Sequence, residues 1–153
     1  MSNRLFVYVQ YDGPVNLEQI LKKVKTKFPS QESGVENEDG YVFMFGPYSN
    51  VYISESTDFD SMLEIFVWQR WNFMFNTECK RTVAARRVIE NLCTALGASE
   101  YWFTCEELMY DSKFFDDSRH SIDELRNVSL ELNDLLSIDS YDYDHPMIHM
   151  TIE

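Results

Sequence analysis

At 153 residues, with 44% apolar and 15% aromatic side chains, the chain can form one core and is too hydrophobic for a disordered segment. Thirteen basic residues face 26 acidic ones, a net charge of -13, which argues against nucleic acid and anionic membrane as partners because both need Lys and Arg to replace counterions. The three cysteines, Cys79, Cys93 and Cys105, form neither a C-x-x-C pair nor an even set, so a disulfide framework, a zinc ribbon and any staple from a cofactor or metal are not expected.

Taken in chain order, Arg4 to Gln10 reads as a first strand, since Leu5, Phe6, Val7, Tyr8 and Val9 are strand formers and Asp12-Gly13-Pro14 is turn chemistry. That apolar stretch is too short for a signal peptide, so a cytoplasmic location is expected. Asn16 and Gln19 open a helix over 17 to 28, in which Leu17, Ile20, Leu21, Val24 and Phe28 share one face and Lys22, Lys23, Lys25 and Lys27 lie on the other. Residues 30 to 40 read as a polar loop. Tyr41 to Phe45 and Val51 to Ser54 read as a hairpin, and Ser61 to Phe73, with 62 to 71 as its strand, as the next member of the meander. Leu63, Ile65 and Val67 then point to one side and Phe66 and Trp68 to the other. A strand apolar on both sides is covered twice or meets a partner.

A long helix is expected over 78 to 96, with Ile89, Leu92, Cys93 and Leu96 on its inner stripe and Gly97 as its stop. Tyr101 to Cys105 follows as a strand. Residues 106 to 120 read as acidic and irregular, and Ser121 with Glu124 is a capping box for a third helix over 122 to 136 bearing Leu125, Val128, Leu132 and Leu135. Met147 to Ile152 closes the chain as a short apolar segment. The order implies a single α+β domain over 1 to 153, an antiparallel or mixed sheet of about five strands with helices packed on one side. A ferredoxin-like split βαβ with an added strand and helix is the first choice of topology.

Few constellations name a chemistry. Arg4 to Val9 and Gly40 to Phe45 resemble the paired aromatic strands of RNA-recognition motifs, but Asp39 stands where that family has a basic residue and the second segment follows the first helix directly. His145 and His149, beside Asp142 and Asp144, have the composition of a metal site. Pro146 opposes a helix there, and in a strand the same gap puts the two rings about 13 Å apart. Asp139, Asp142 and Asp144 lack the glycine and closing glutamate of a calcium loop. No nucleophile elbow, Walker loop or G-x-G-x-x-G is present, so no enzymatic activity is expected.

Charge is unevenly spread. Residues 1 to 30 hold five bases and two acids, whereas residues 100 to 153 hold fourteen acids and three bases. In that last third acids interleave with aromatics: Glu106 and Glu107 precede Tyr110 and Asp111, Phe114 and Phe115 precede Asp116 and Asp117, and Tyr141-Asp142-Tyr143-Asp144 repeats the pairing. Aromatic anchors supply desolvated contact area and carboxylates accept Lys and Arg, so Glu106, Glu107, Asp111, Asp116, Asp117, Tyr141, Asp142, Tyr143 and Asp144 are the expected binding site for a basic protein partner. In size, charge and aromatic content the chain is similar to small acidic immunity proteins of bacterial toxin systems and to phage-encoded inhibitors, which implies a protein that blocks a toxin or nuclease. Two alternatives remain open: a small-molecule-binding or catalytic domain with a pocket by the strand Phe66 to Phe73, and a subunit of a homo-oligomer joined through that strand.

Overall fold

The computed structural model describes residues 3–28, 32–36, 41–45, 50–75, 80–116, 119–132 and 142–152. Eight strands form one mixed sheet: β1 (Arg4–Gln10), β2 (Glu32–Glu36), β3 (Tyr41–Phe45), β4 (Asn50–Glu55), β5 (Met62–Arg70), β6 (Glu100–Cys105), β7 (Ser129–Glu131) and β8 (Met147–Thr151). Their order across the sheet is β2-β3-β4-β5-β1-β6-β8-β7. Every pairing is antiparallel except the last, β7 with β8. The α+β class with a mixed sheet is as the sequence implies, but the sheet is wider than five strands. The split βαβ of a ferredoxin-like fold is not what the pairings give: it needs β1 parallel to the strand that precedes the second helix, and β1 is antiparallel to β5.

Two of the extra strands come from segments with weak strand character. Glu32–Glu36, within the expected polar loop, pairs with Glu36 opposite Tyr41 and Glu32 opposite Phe45. Its Glu, Ser and Gly content suits an edge, where charge discourages pairing with another chain. The expected helix over 122 to 136 ends early: α4 spans Ile122–Asn127, and Ser129–Glu131 joins the sheet instead. The reason is geometric. Leu125 and Val128 belong to the apolar cluster on one side of the sheet and Leu132 to the cluster on the other, and one straight helix stripe cannot feed both faces.

Alternation along the strands builds the two clusters. Leu5, Val7, Val9, Leu63, Ile65, Val67, Tyr101, Phe103, Ile148 and Met150 turn to a first face. There they meet Ile20, Leu21 and Val24 of α1 (Leu17–Lys27) and Ile89, Leu92, Cys93 and Leu96 of α2 (Lys80–Ala95). Asn16 caps α1 by accepting from the Gln19 N–H at 3.1 Å, and Gly97, at φ +86°, stops α2 in a conformation that suits glycine. β5 runs into a 3-10 helix, Trp71–Phe75, whose Trp71 and Met74 are buried in this core.

Tyr8, Met62, Trp102 and Met147 turn the other way and meet Phe59 and Leu125, flanked by Phe6, Met109, Phe114, Phe115, Ile122 and Val128. The cover on this second face consists of α3 (Glu106–Asp111), the 3-10 turn Lys113–Phe115 and α4. Helical segments thus lie on both sides of the sheet, and α3 and the 3-10 turn fall in the stretch 106 to 120 that reads as irregular. No helix among the described residues is long and apolar enough to cross a membrane.

Candidate functional site

α3 leaves β6 without a break, and Glu106 and Glu107 occupy its first turn, where carboxylates suit the helix dipole. Both are also tied to the start of the chain. The Arg4 N–H donates to Glu106 Oε1 at 2.8 Å, and the Glu107 N–H donates to Asn3 Oδ1 at 3.0 Å. Leu108 packs into the first core and Met109 against the second, which leaves Tyr110 outside with 76% of its surface exposed and Asp111 beside it.

The turn at 142 to 145 is bound to the same helix. Ser112, buried at the end of α3, donates from Oγ to the Tyr143 carbonyl at 2.6 Å, and the Tyr143 hydroxyl donates to Glu107 Oε1 at 3.1 Å. Asp142 shapes the turn: its Oδ1 accepts from the Asp144 and His145 N–H groups at 3.1 Å each, and its Oδ2 lies 3.2 Å from His145 Nδ1. The structure therefore assembles Glu106, Glu107, Asp111, Asp142, Tyr143 and Asp144 on one surface with Tyr110 among them. Tyr110 was not among the residues expected there; its place after Leu108 and Met109, which fill the two cores, is what turns it outward. Asp116 is exposed at the end of the 3-10 turn, and among the described residues no hydrogen bond or ion pair joins it to the others. Asp117 and Tyr141 lie outside the described residues.

Two arginine pairs, Arg119 with Asp60 at 2.9 Å and Arg126 with Glu100 at 2.6 Å, lie away from these carboxylates. Among the described residues Tyr110 and Tyr143, the latter 40% exposed, are the exposed large hydrophobic ones. The surface can therefore offer carboxylates and ring faces to a cation, with Asp142 held by His145.

A second set of polar side chains comes together in the sheet through strand register that the sequence does not show. Glu64, Tyr8, Trp102, His149 and Glu131 stand directly opposite one another across β5, β1, β6, β8 and β7. The buried Tyr8 hydroxyl donates to Glu64 Oε1 at 2.9 Å. Burial raises the Glu64 carboxyl above its ordinary range; the Tyr8 bond opposes that shift and the Asp58 charge adds to it. Burial likewise raises Asp58, against the pull of His120 and Arg119, and pushes the Tyr8 hydroxyl well above the usual tyrosine range, with Glu64 and Asp58 adding.

Along the strand Phe66 to Phe73, Val67 and Trp71, with Met74 beyond them, are buried in the first core, while Phe66 packs on Phe6 and Tyr52 with ring centroids 4.9 and 6.1 Å apart. A cavity of about 400 Å³ opens at the far edge of the sheet, lined by Arg86, Glu90, Glu131, Leu132, His149 and Met150 among others. His145 and His149 face different carboxylates, Asp142 and Glu131. Among the described residues no group of three or more His, Cys, Asp and Glu could hold a metal ion.

Set beside family models, curated proteins and solved structures, the chain matches none. Its function therefore rests on its own geometry.

Proposed function

We propose that this chain is a non-enzymatic cytoplasmic protein that captures and blocks a basic protein partner through the surface built by α3 and the turn at 142 to 145. The observation behind the reading is that Tyr110 and Tyr143, the exposed large hydrophobic side chains among the described residues, both stand among carboxylates, while the ion pairs of Arg119 and Arg126 lie elsewhere. Acidic residues in excess steer a cationic partner toward the surface, and the two rings then supply anchors once contact is made. A partner that uses the same basic surface to grip a phosphate backbone is occluded while it is held here, which is what makes binding a block.

The test uses a defined probe: a Lys- and Arg-rich peptide with interspersed apolar residues, and a control peptide with Gln at every basic position. Association with the basic peptide is expected to slow as salt rises from about 0.01 M to about 0.15 M, as the Debye length falls from about 30 Å to about 8 Å. Asp142→Asn with Asp144→Asn lowers the association rate. Tyr110→Ala or Tyr143→Ala instead speeds dissociation, by about five- to thirtyfold for the loss of an anchor. Equal binding of the Gln control, or an association rate indifferent to salt, refutes the reading. The cavity of about 400 Å³ with Arg86, Glu90, Glu131 and His149 on its wall favours a second reading, a small-molecule-binding domain.

A further inference from the structure

The segment Ile122–Glu131, α4 on the second face followed by β7 at the sheet edge, is an arm held near each end by a histidine and a carboxylate. At the first end His120 Nδ1 is 2.9 Å from Glu124 Oε2, and Nε2 is 2.6 Å from the Phe114 carbonyl oxygen. Both partners are acceptors. A neutral imidazole has one N–H, so the two bonds exist together only when both nitrogens are protonated. The ring stacks on Phe114 with centroids 3.9 Å apart and planes 15° apart. Its backbone bonds to the loop between β4 and β5, the His120 N–H to the Asp58 carbonyl at 2.8 Å and the Asp60 N–H to the His120 carbonyl at 2.9 Å. His120 thus joins the 3-10 turn, that loop and the first turn of α4.

At the other end His149 Nδ1 is 2.6 Å from Glu131 Oε1. Its Nε2 is buried with no hydrogen-bond partner among the described residues and faces Glu100 Oε2 at 3.9 Å. With Nδ1–H given to Glu131, a neutral ring turns the lone pair of Nε2 toward a carboxylate; a second proton makes the same atom a donor. Glu100 is itself bonded to Arg126 of the arm at 2.6 Å, and that guanidinium lies 5.2 Å over the Trp102 ring. Among the described residues the charged groups around His120 are Glu124 from α4, Asp58 and Asp60 from the loop, and Arg119, which is bonded to Asp60. Around His149 they are Glu131, Glu100 and Arg126. Carboxylates outnumber guanidinium groups at both rings.

We propose that the Ile122–Glu131 arm is fastened by a proton-dependent histidine clasp at His120, with His149 holding Glu131 at its other end, and that its α4 part loosens when His120 gives up its second proton. Fastened, the arm keeps Leu125 fully buried and Arg126 over Trp102; released, it uncovers the second cluster while α1 and α2 stay packed on the opposite face. The acid side of the clasp is protected because the bond to His120 holds the Glu124 carboxyl below its ordinary range.

The experiment follows the histidine ring nitrogens by NMR in the full chain from about pH 5 to about pH 8.5, together with amide hydrogen exchange corrected for its intrinsic pH dependence. Both His120 nitrogens are expected to carry protons at the acid end. As the second proton leaves, protection of the Leu125 and Val128 amides should fall about tenfold or more relative to Ile20 in α1. His120→Gln removes this pH dependence. Should that variant fail to fold, the wild-type ring signals and exchange ratio decide alone. A protection ratio that stays constant across the range, or that changes while the His120 ring does not titrate, overturns the proposal.

Discussion

Tyr8→Phe removes one oxygen from the middle of the sheet, and its cost should depend on pH in a direction the structure specifies. The Tyr8 hydroxyl is fully buried and donates to the Glu64 carboxylate at 2.9 Å, with a weaker contact to Met109 Sδ at 3.7 Å. A hydrogen bond to a charged group contributes about 1.5 to 3 kcal/mol and a neutral one about 1 kcal/mol. Glu64 is already raised by burial, so in the folded protein its ionised form is the costly one. A raised acid binds its proton more tightly in the folded state, so stability declines as pH climbs from the ordinary glutamate range through the raised value. Tyr8→Phe deletes the interaction that opposes that shift. The variant should therefore lose about 1 kcal/mol at about pH 4, where Glu64 is protonated, and about 2 to 3 kcal/mol at about pH 7.5. In a chain of this length 2 kcal/mol corresponds to a Tm lower by about 4 to 8 °C. Urea unfolding followed by tryptophan fluorescence at the two pH values measures both deficits, and Glu64→Gln provides the control, since a neutral acceptor should raise stability at pH 7.5 and shrink the effect of Tyr8→Phe. A deficit of equal size at both pH values, or one below about 0.5 kcal/mol at pH 7.5, shows that the bond to Glu64 is not what holds Tyr8.

Ser121 and Glu124 satisfy each other's backbone N–H groups at 3.2 and 3.1 Å, so Ser121→Ala should cost about 1 kcal/mol in chemical denaturation, and an unchanged midpoint would show that the α4 cap is unimportant. Glu124 is lowered chiefly by its bond to His120; its contribution is present above the ordinary glutamate range and is lost as pH falls through the lowered value, which a carboxyl NMR titration reads directly. Burial pushes the Cys105 thiol up to about 11 and the Cys93 thiol higher still, so a thiol reagent at about pH 8 should leave both unmodified in the folded chain and label them on unfolding. Rapid labelling of either one before unfolding contradicts their burial.

The elements read correctly from the sequence are those whose signal is local. Leu5, Val7 and Val9 alternate and form β1; Ile20, Leu21 and Val24 share a helix face and form α1; Ser121 and Glu124 sit three apart and cap α4. Glu32–Glu36 and Ser129–Glu131 escape such reading because a neighbouring strand recruits them, Tyr41–Phe45 in one case and Met147–Thr151 in the other, and local propensity says little about recruitment. The acidic surface lies between these limits. Glu106, Glu107 and Asp111 announce themselves by composition, whereas their contact with Tyr143 depends on Ser112 holding a carbonyl 31 residues away. The lateral row is at the far end of the scale. Positions 8, 64, 102, 131 and 149 are brought together only by the register of four strand pairs, and a slip of one residue in any of them would send that strand's member of the row to the opposite face. One cue was nonetheless present: Glu64 is the lone charge in the apolar run Met62 to Trp68. A single carboxylate kept at such a position needs a buried donor, and Tyr8, the hydroxyl-bearing residue of the central strand, is that donor.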